Sequence, residues 1–173
     1  LTKMGFSAYA VGGLSVGESR EERNAVLELM DEALPSDRLR YLMGVGDPVG
    51  IFEAVVRGMD LFDCVLPTRL GRHGVALTAK GRVNLRSASV AKNDAPIEAD
   101  CGCQACSRYS RGYLRHLLLV GEETGRRLVS LHNLWYLNRF LEDIRRAIST
   151  GRLAQLAEAL RESWGASLYD ASG

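Results

Sequence analysis

At 173 residues with 46% hydrophobic and 25% charged side chains, the chain has the apolar content for one substantial core. No run approaches the roughly 18 consecutive apolar residues that a membrane helix needs, and the N-terminus lacks the basic-then-apolar pattern of a secretory signal, so a cytoplasmic protein is expected. A net charge of +1 excludes a wholesale nucleic-acid coat, yet the stretch from Cys64 to Asn93 holds no acidic residue while carrying Arg69, Arg72, Lys80, Arg82, Arg86 and Lys92, which predicts either a local basic surface or a solvated hairpin.

Phe6 to Val11 reads as a strand ending at Gly12 and Gly13. Ser19 and Glu22 fit a capping box, and Val26, Leu27, Met30, Ala33 and Leu34 form one apolar helical stripe up to Pro35. Leu39 to Val45 reads as a second buried strand. Asp47 and Pro48 suit the N-cap and first position of a helix whose buried face is Val49, Phe52, Val55, Val56 and Met59, with Gly58 near its end. Leu61 to Leu66 makes a third strand closed by Pro67. After Pro67 the period changes, and Val75 to Thr78 and Arg82 to Arg86 read as an antiparallel hairpin with Gly81 in or beside its turn. A helix is predicted to begin near His132, with Leu134, Leu137, Leu141, Ile144 and Ile148 on one face and Gly151 as its stop. Leu153, Leu156, Leu160 and Trp164 suggest a terminal helix.

The strand and helix alternation predicts βαβ units in a parallel sheet. Three such strands do not make a stable sheet by themselves, because a parallel sheet is normally covered on both faces. The chain also begins at Leu1, and something upstream is expected to be absent. The fold class is therefore read as α/β: the last three βα units of a (β/α)8 barrel over residues 1–73, a hairpin and zinc-binding insertion over 74–132, and C-terminal helices closing the barrel over 133–173.

Cys101, Cys103 and Cys106 crowd three thiols together, and His132 follows. Thiolate sulfur and imidazole nitrogen suit tetrahedral zinc, and four protein ligands would leave no open position, so one structural Zn2+ is expected. A disulfide, a redox pair or buried cysteines with an unrelated histidine are the alternatives, and His116 is also within reach as a ligand. Cys64 has no ligand spacing and reads as a buried thiol.

In barrel enzymes chemistry sits where strands end, which singles out Gly12 to Glu18, Met43 to Asp47 and Asp63 to Arg72. Alternation along the third strand puts Leu61, Asp63 and Val65 on one face. A carboxylate beside an apolar run is costly without a task or a partner. Asp63 is thus either a structural aspartate bonding backbone amides or nearby arginines, or a working group.

Four segments in this order, Gly12-Gly-Leu-Ser-Val-Gly-Glu18, Met43-Gly-Val-Gly-Asp-Pro48, Asp60-Leu-Phe-Asp-Cys-Val-Leu-Pro-Thr-Arg69 and the Cys101 to His132 pattern, resemble the C-terminal portion of the tRNA-guanine transglycosylases, the queuine or preQ1 tRNA-ribosyltransferases. The resemblance runs from about Phe6 to Ile148. It implies exchange of the wobble guanine of a tRNA anticodon for a 7-deazaguanine. Asp63 would be the catalytic nucleophile that attacks the ribose C1′ and forms a covalent RNA intermediate, and the target nucleotide would leave its stack to reach the pocket. Gly13 and Leu14 would present backbone groups to the base, Met43 would pack against its plane and Gly44 would permit close approach. Arg69 and Arg72 would hold tRNA phosphates. Val16 resembles the bacterial pattern, which implies preQ1 as the incoming base, recognised near Leu14 and Glu18.

The resemblance further implies a homodimer with contacts in the zinc region. It implies an N-terminal barrel half that supplies another acidic residue, so this chain by itself is expected to be inactive. The alternative is a non-catalytic, zinc-containing tRNA-binding partner subunit of the same family. An archaeal-type enzyme acting at another tRNA position is the second alternative, disfavoured by the short sequence after Ile148.

Overall fold

A computed structural model describes residues 1–14 and 17–165. Parallel strands β1 (Ala8–Val11), β2 (Leu39–Met43) and β3 (Leu61–Asp63) lie in the order β1-β2-β3, with Val11 opposite Leu42 and Met43 opposite Asp63. Helices α1 (Arg20–Ala33) and α2 (Pro48–Val56) make the crossovers. Both start where their caps predict. Ser19 Oγ accepts from Glu22 N–H at 3.1 Å while Glu22 Oε2 accepts from Ser19 N–H at 2.7 Å, and Asp47 Oδ1 accepts from Gly50 N–H at 2.8 Å with Pro48 at the first helical position. These bonds satisfy amides that the first helical turn leaves without partners. One sheet face buries Tyr9, Val11, Arg40 and Leu42, while Leu39, Met43 and Leu61 on the other face are exposed. Buried Arg40 is neutralised by Asp31 at 2.5 Å and donates to the Leu34 carbonyl, as a charge in that place requires.

The chain divides into two units, residues 1–65 and 66–173. In the second unit, α3 (Leu66–His73) leads into the antiparallel hairpin β4 (Val75–Thr78) and β5 (Gly81–Asn84), with Leu77 opposite Arg82. Then come α4 (Gln104–Arg108), α5 (Arg111–Leu119), α6 (Glu123–Ser149) and α7 (Leu153–Trp164). Ala76, Leu85, Ile97, Leu114, Leu118, Leu128 and Val129 form one buried cluster, and Cys101 and Cys103 belong to it.

Several boundaries differ from those the sequence predicts. Leu66 opens a helix and does not end a strand: Pro67 sits in the first turn of α3, where its missing N–H costs nothing. Helix α6 begins at Glu123, so His132 lies within it and not at its start. Gly125 lies in the first turn of α6, where a Cβ would come within 2.8 Å of Leu117 Cβ, so the glycine serves the packing of α5 on α6. The buried face of α6 is Val129, His132, Asn133, Tyr136, Leu137, Phe140 and Ile144, whereas Leu134 and Ile148 are exposed. The exposed Val56 likewise leaves the buried face of α2, which uses Ile51 and Ala54.

Candidate active site and metal centre

Parallel pairing carries the glycine turn after β1, the end of β2 and Asp63 of β3 to one edge of the sheet. Met43 and Asp63 are register partners, and a Cβ on Gly12 would lie 3.1 Å from Met43 Sδ. Gly12, Met43, Gly44 and Asp63 therefore form one patch at the C-terminal ends of three strands. Met43 and Gly44 are exposed there, as are Gly13 and Asp63, while Leu14 and Glu18 are half-buried. Val16 lies outside the described residues.

Asp63 accepts two hydrogen bonds on Oδ1. Tyr41 Oη donates to it at 2.8 Å and Gly44 N–H at 3.1 Å. The Gly44 N–H also faces the Asp63 carbonyl at 3.1 Å. Gly44 has φ 82, in the left-handed region that a side chain disfavours, and this turn is what aims its N–H at the aspartate. The Tyr41 hydroxyl first, then the Gly44 amide, hold the Asp63 carboxyl below its ordinary pKa, and Tyr41 is raised in return. An ionised carboxylate at an open strand end is chemically a nucleophile or a general base. Tyr41 was not a sequence candidate. Its position two residues before Met43 in β2, on the same face, is the signal that would have found it.

Arg69 and Arg72 lie on α3 and are exposed, as are Lys80 and Lys92. Arg86 Nη1 is engaged by the Leu118 carbonyl at 3.1 Å, and Arg82 is half-buried. The basic residues of the acid-free stretch are thus divided between solvent and packing.

At the other centre, one ligand atom from each of Cys101, Cys103, Cys106 and His132 lies within 4.8 Å of the rest. His132 Nδ1 is 3.6, 3.5 and 3.3 Å from the Sγ atoms of Cys101, Cys103 and Cys106. Tetrahedral zinc, with Zn–S of about 2.3 Å and Zn–N of about 2.0–2.1 Å, sets S···N separations of about 3.6 Å, so the donor set fits the ion. His132 Nε2–H donates to the Leu77 carbonyl at 2.8 Å, which leaves Nδ1 as the ligand atom. Burial lowers the His132 pKa and keeps the imidazole neutral; burial also pushes the Cys101 and Cys106 thiols up. His116 is exposed on α5 and outside this group. All four cysteines are free thiols in the structure.

The family model described as Queuine tRNA-ribosyltransferase matches residues 1–166. A Queuine tRNA-ribosyltransferase of Geobacillus kaustophilus (strain HTA426) is 46% identical over 165 residues, covering 95% of this chain and 43% of that protein. One from Streptococcus pneumoniae (strain CGSP14) is 44% identical over 173 residues, covering 100% of this chain and 45% of that protein. The chain thus spans less than half the length of these curated relatives. No described helix is long and apolar enough to cross a membrane.

Proposed function

The chain belongs to the Queuine tRNA-ribosyltransferase family, and from that premise we propose that it carries the nucleophile and the zinc brace of an enzyme that exchanges the wobble guanine of a tRNA for the 7-deazaguanine preQ1. The observation that carries this reading is Asp63, held ionised by Tyr41 and Gly44 at the strand ends beside Met43. Both hydrogen bonds fall on Oδ1, and Oδ2 is the oxygen assigned to attack. It bonds to the ribose C1′ as the C1′–N bond to guanine breaks, and guanine leaves with that electron pair and takes up a proton. A ring nitrogen of the incoming base then bonds to C1′, loses its proton and expels Asp63.

In this reading Gly13, Leu14 and Glu18 face the base, Val16 is assigned to its selection on the family resemblance alone, and Met43 and Gly44 give the base a flat, open wall. Arg69 and Arg72 hold phosphates. The zinc ligands brace the second unit structurally. The sheet also supports a barrel. With the strands in sequential order, the right-handed crossovers usual for βαβ units would put α1 and α2 on one face, and the opposite face, carrying Leu39, Tyr41, Met43, Leu61 and Asp63, would line the barrel interior. Residues 1–73 would be barrel units, 74–132 the hairpin and zinc insertion, and 133–173 the closing helices. We further assign a homodimer and a cytoplasmic setting on the family resemblance.

The test is Asp63→Asn in the full-length enzyme, probed by denaturing gels for a covalent tRNA adduct. Adduct and guanine exchange should both be lost, and an adduct that survives the change refutes the assignment.

A further inference from the structure

Helix α6 presents two adjacent polar residues to the hairpin, His132 and Asn133, and both are fully buried. They grip the same residue of β4. His132 Nε2–H donates to the Leu77 carbonyl and the Leu77 N–H donates to Asn133 Oδ1, each at 2.8 Å. Asn133 Nδ2 then spends its two protons on the Val75 carbonyl at 3.0 Å and the Pro67 carbonyl at 2.9 Å. The amide is thereby satisfied at both ends, as a buried asparagine must be.

These four bonds do more than close the outer edge of β4. His132 Nδ1 faces the three thiols, so a bound metal fixes the imidazole, the imidazole fixes Leu77, and Asn133 ties Leu77 to Pro67 in the first turn of α3. Helix α3 carries Arg69 and Arg72.

We propose that Asn133 relays occupancy of the zinc site to α3, making it a positioning residue that holds Arg69 and Arg72 in place only when the metal is bound. The meaning of this for RNA rests on the proposed function; the coupling itself does not. Metal removal frees the imidazole to turn about its side-chain torsions, which loosens Leu77 and with it the Asn133 bridge. Substituting Asn133 cuts the bridge while leaving every metal ligand in place.

Hydrogen exchange by mass spectrometry on the full-length protein tests this directly. Stripping zinc with a chelator should speed exchange in residues 68–78 by at least about tenfold, while the C-terminal half of α6, residues 140–149, changes far less. Asn133→Ala, with zinc content measured at one per chain, should show the fast rate in 68–78 with metal bound. Asn133→Ser, which keeps one hydroxyl to accept from Leu77, should fall between. Unchanged protection of 68–78 after stripping overturns the proposal, as does a rise spread evenly over the chain; the stripping arm uses the unsubstituted protein and decides even if Asn133→Ala does not fold. In parallel, zinc-stripped protein should bind tRNA more weakly, and Arg69→Ala with Arg72→Ala should abolish that difference. If the double variant binds tRNA like the unsubstituted protein, the RNA role of α3 fails, while the exchange data still decide the coupling.

Discussion

The proposed chemistry rests on one side chain whose ionisation the neighbours control. Asp63 is exposed, so burial does little, and its lowered pKa comes from the Tyr41 hydroxyl first and the Gly44 amide second. Tyr41→Phe removes the larger contribution and little volume. The pKa of Asp63 should rise toward the ordinary carboxylate range, and because the depressed value is what keeps the nucleophile ionised in acid, the acidic limb of kcat/KM should move to higher pH in the full-length enzyme. At neutral pH the loss should be modest, about three- to tenfold, since the carboxylate still ionises there. A pH profile whose acid limb does not move would show that Tyr41 has no hold on the nucleophile. Alternation along β3 already placed Asp63 on the face opposite Phe62 in the sequence. The tyrosine was hidden because its partner is 22 positions away, a distance that only parallel pairing closes.

Among the elements, those with chemical punctuation were legible. The Ser19 capping box and the Asp47-Pro48 start fix α1 and α2 at the residues where the sequence puts them. Ser19→Ala should lower stability by about 1 kcal/mol, seen as a lower denaturant midpoint at constant slope. The elements that were missed or misplaced broke local rules for tertiary reasons. Pro67 looked like a stop and is a start, and the true face of α6 includes His132 and Asn133, polar residues that an apolar periodicity does not count. The cysteine loop was readable from spacing alone. Its titration has a definite sign: burial raises the Cys101 and Cys106 thiols, so the metal-free site holds those protons at neutral pH and zinc must displace them. Zinc affinity should therefore rise with pH, with at least about two protons released per ion between about pH 6 and pH 8, as competition against a chromophoric chelator at several pH values would show. A pH-independent affinity would mean the thiols are already ionised without metal.

At the scale of the whole molecule, the two units answer different needs. The second is organised around a core that includes Cys101 and Cys103, and a metal at that point cross-links the cysteine loop, α6 and, through Leu77, the hairpin. The first presents a sheet face with Leu39, Met43 and Leu61 exposed, and parallel sheets are stable when both faces are covered. The same face bears Asp63 and Tyr41. A base exchange at C1′ needs a proton delivered to the leaving guanine and removed from the incoming base, as well as a nucleophile, and a site that excludes water from the covalent intermediate. In the proposed chemistry, the open sheet edge with Asp63 as its ionised carboxylate would supply the nucleophile alone. The 173-residue polypeptide is accordingly expected to retain one zinc per chain and yet to incorporate no measurable labelled guanine into tRNA, whereas the full-length enzyme should do so under the same conditions. Metal analysis and a filter assay on the same preparation separate the two properties. Exchange by the polypeptide alone would mean that its own groups complete the acid-base chemistry.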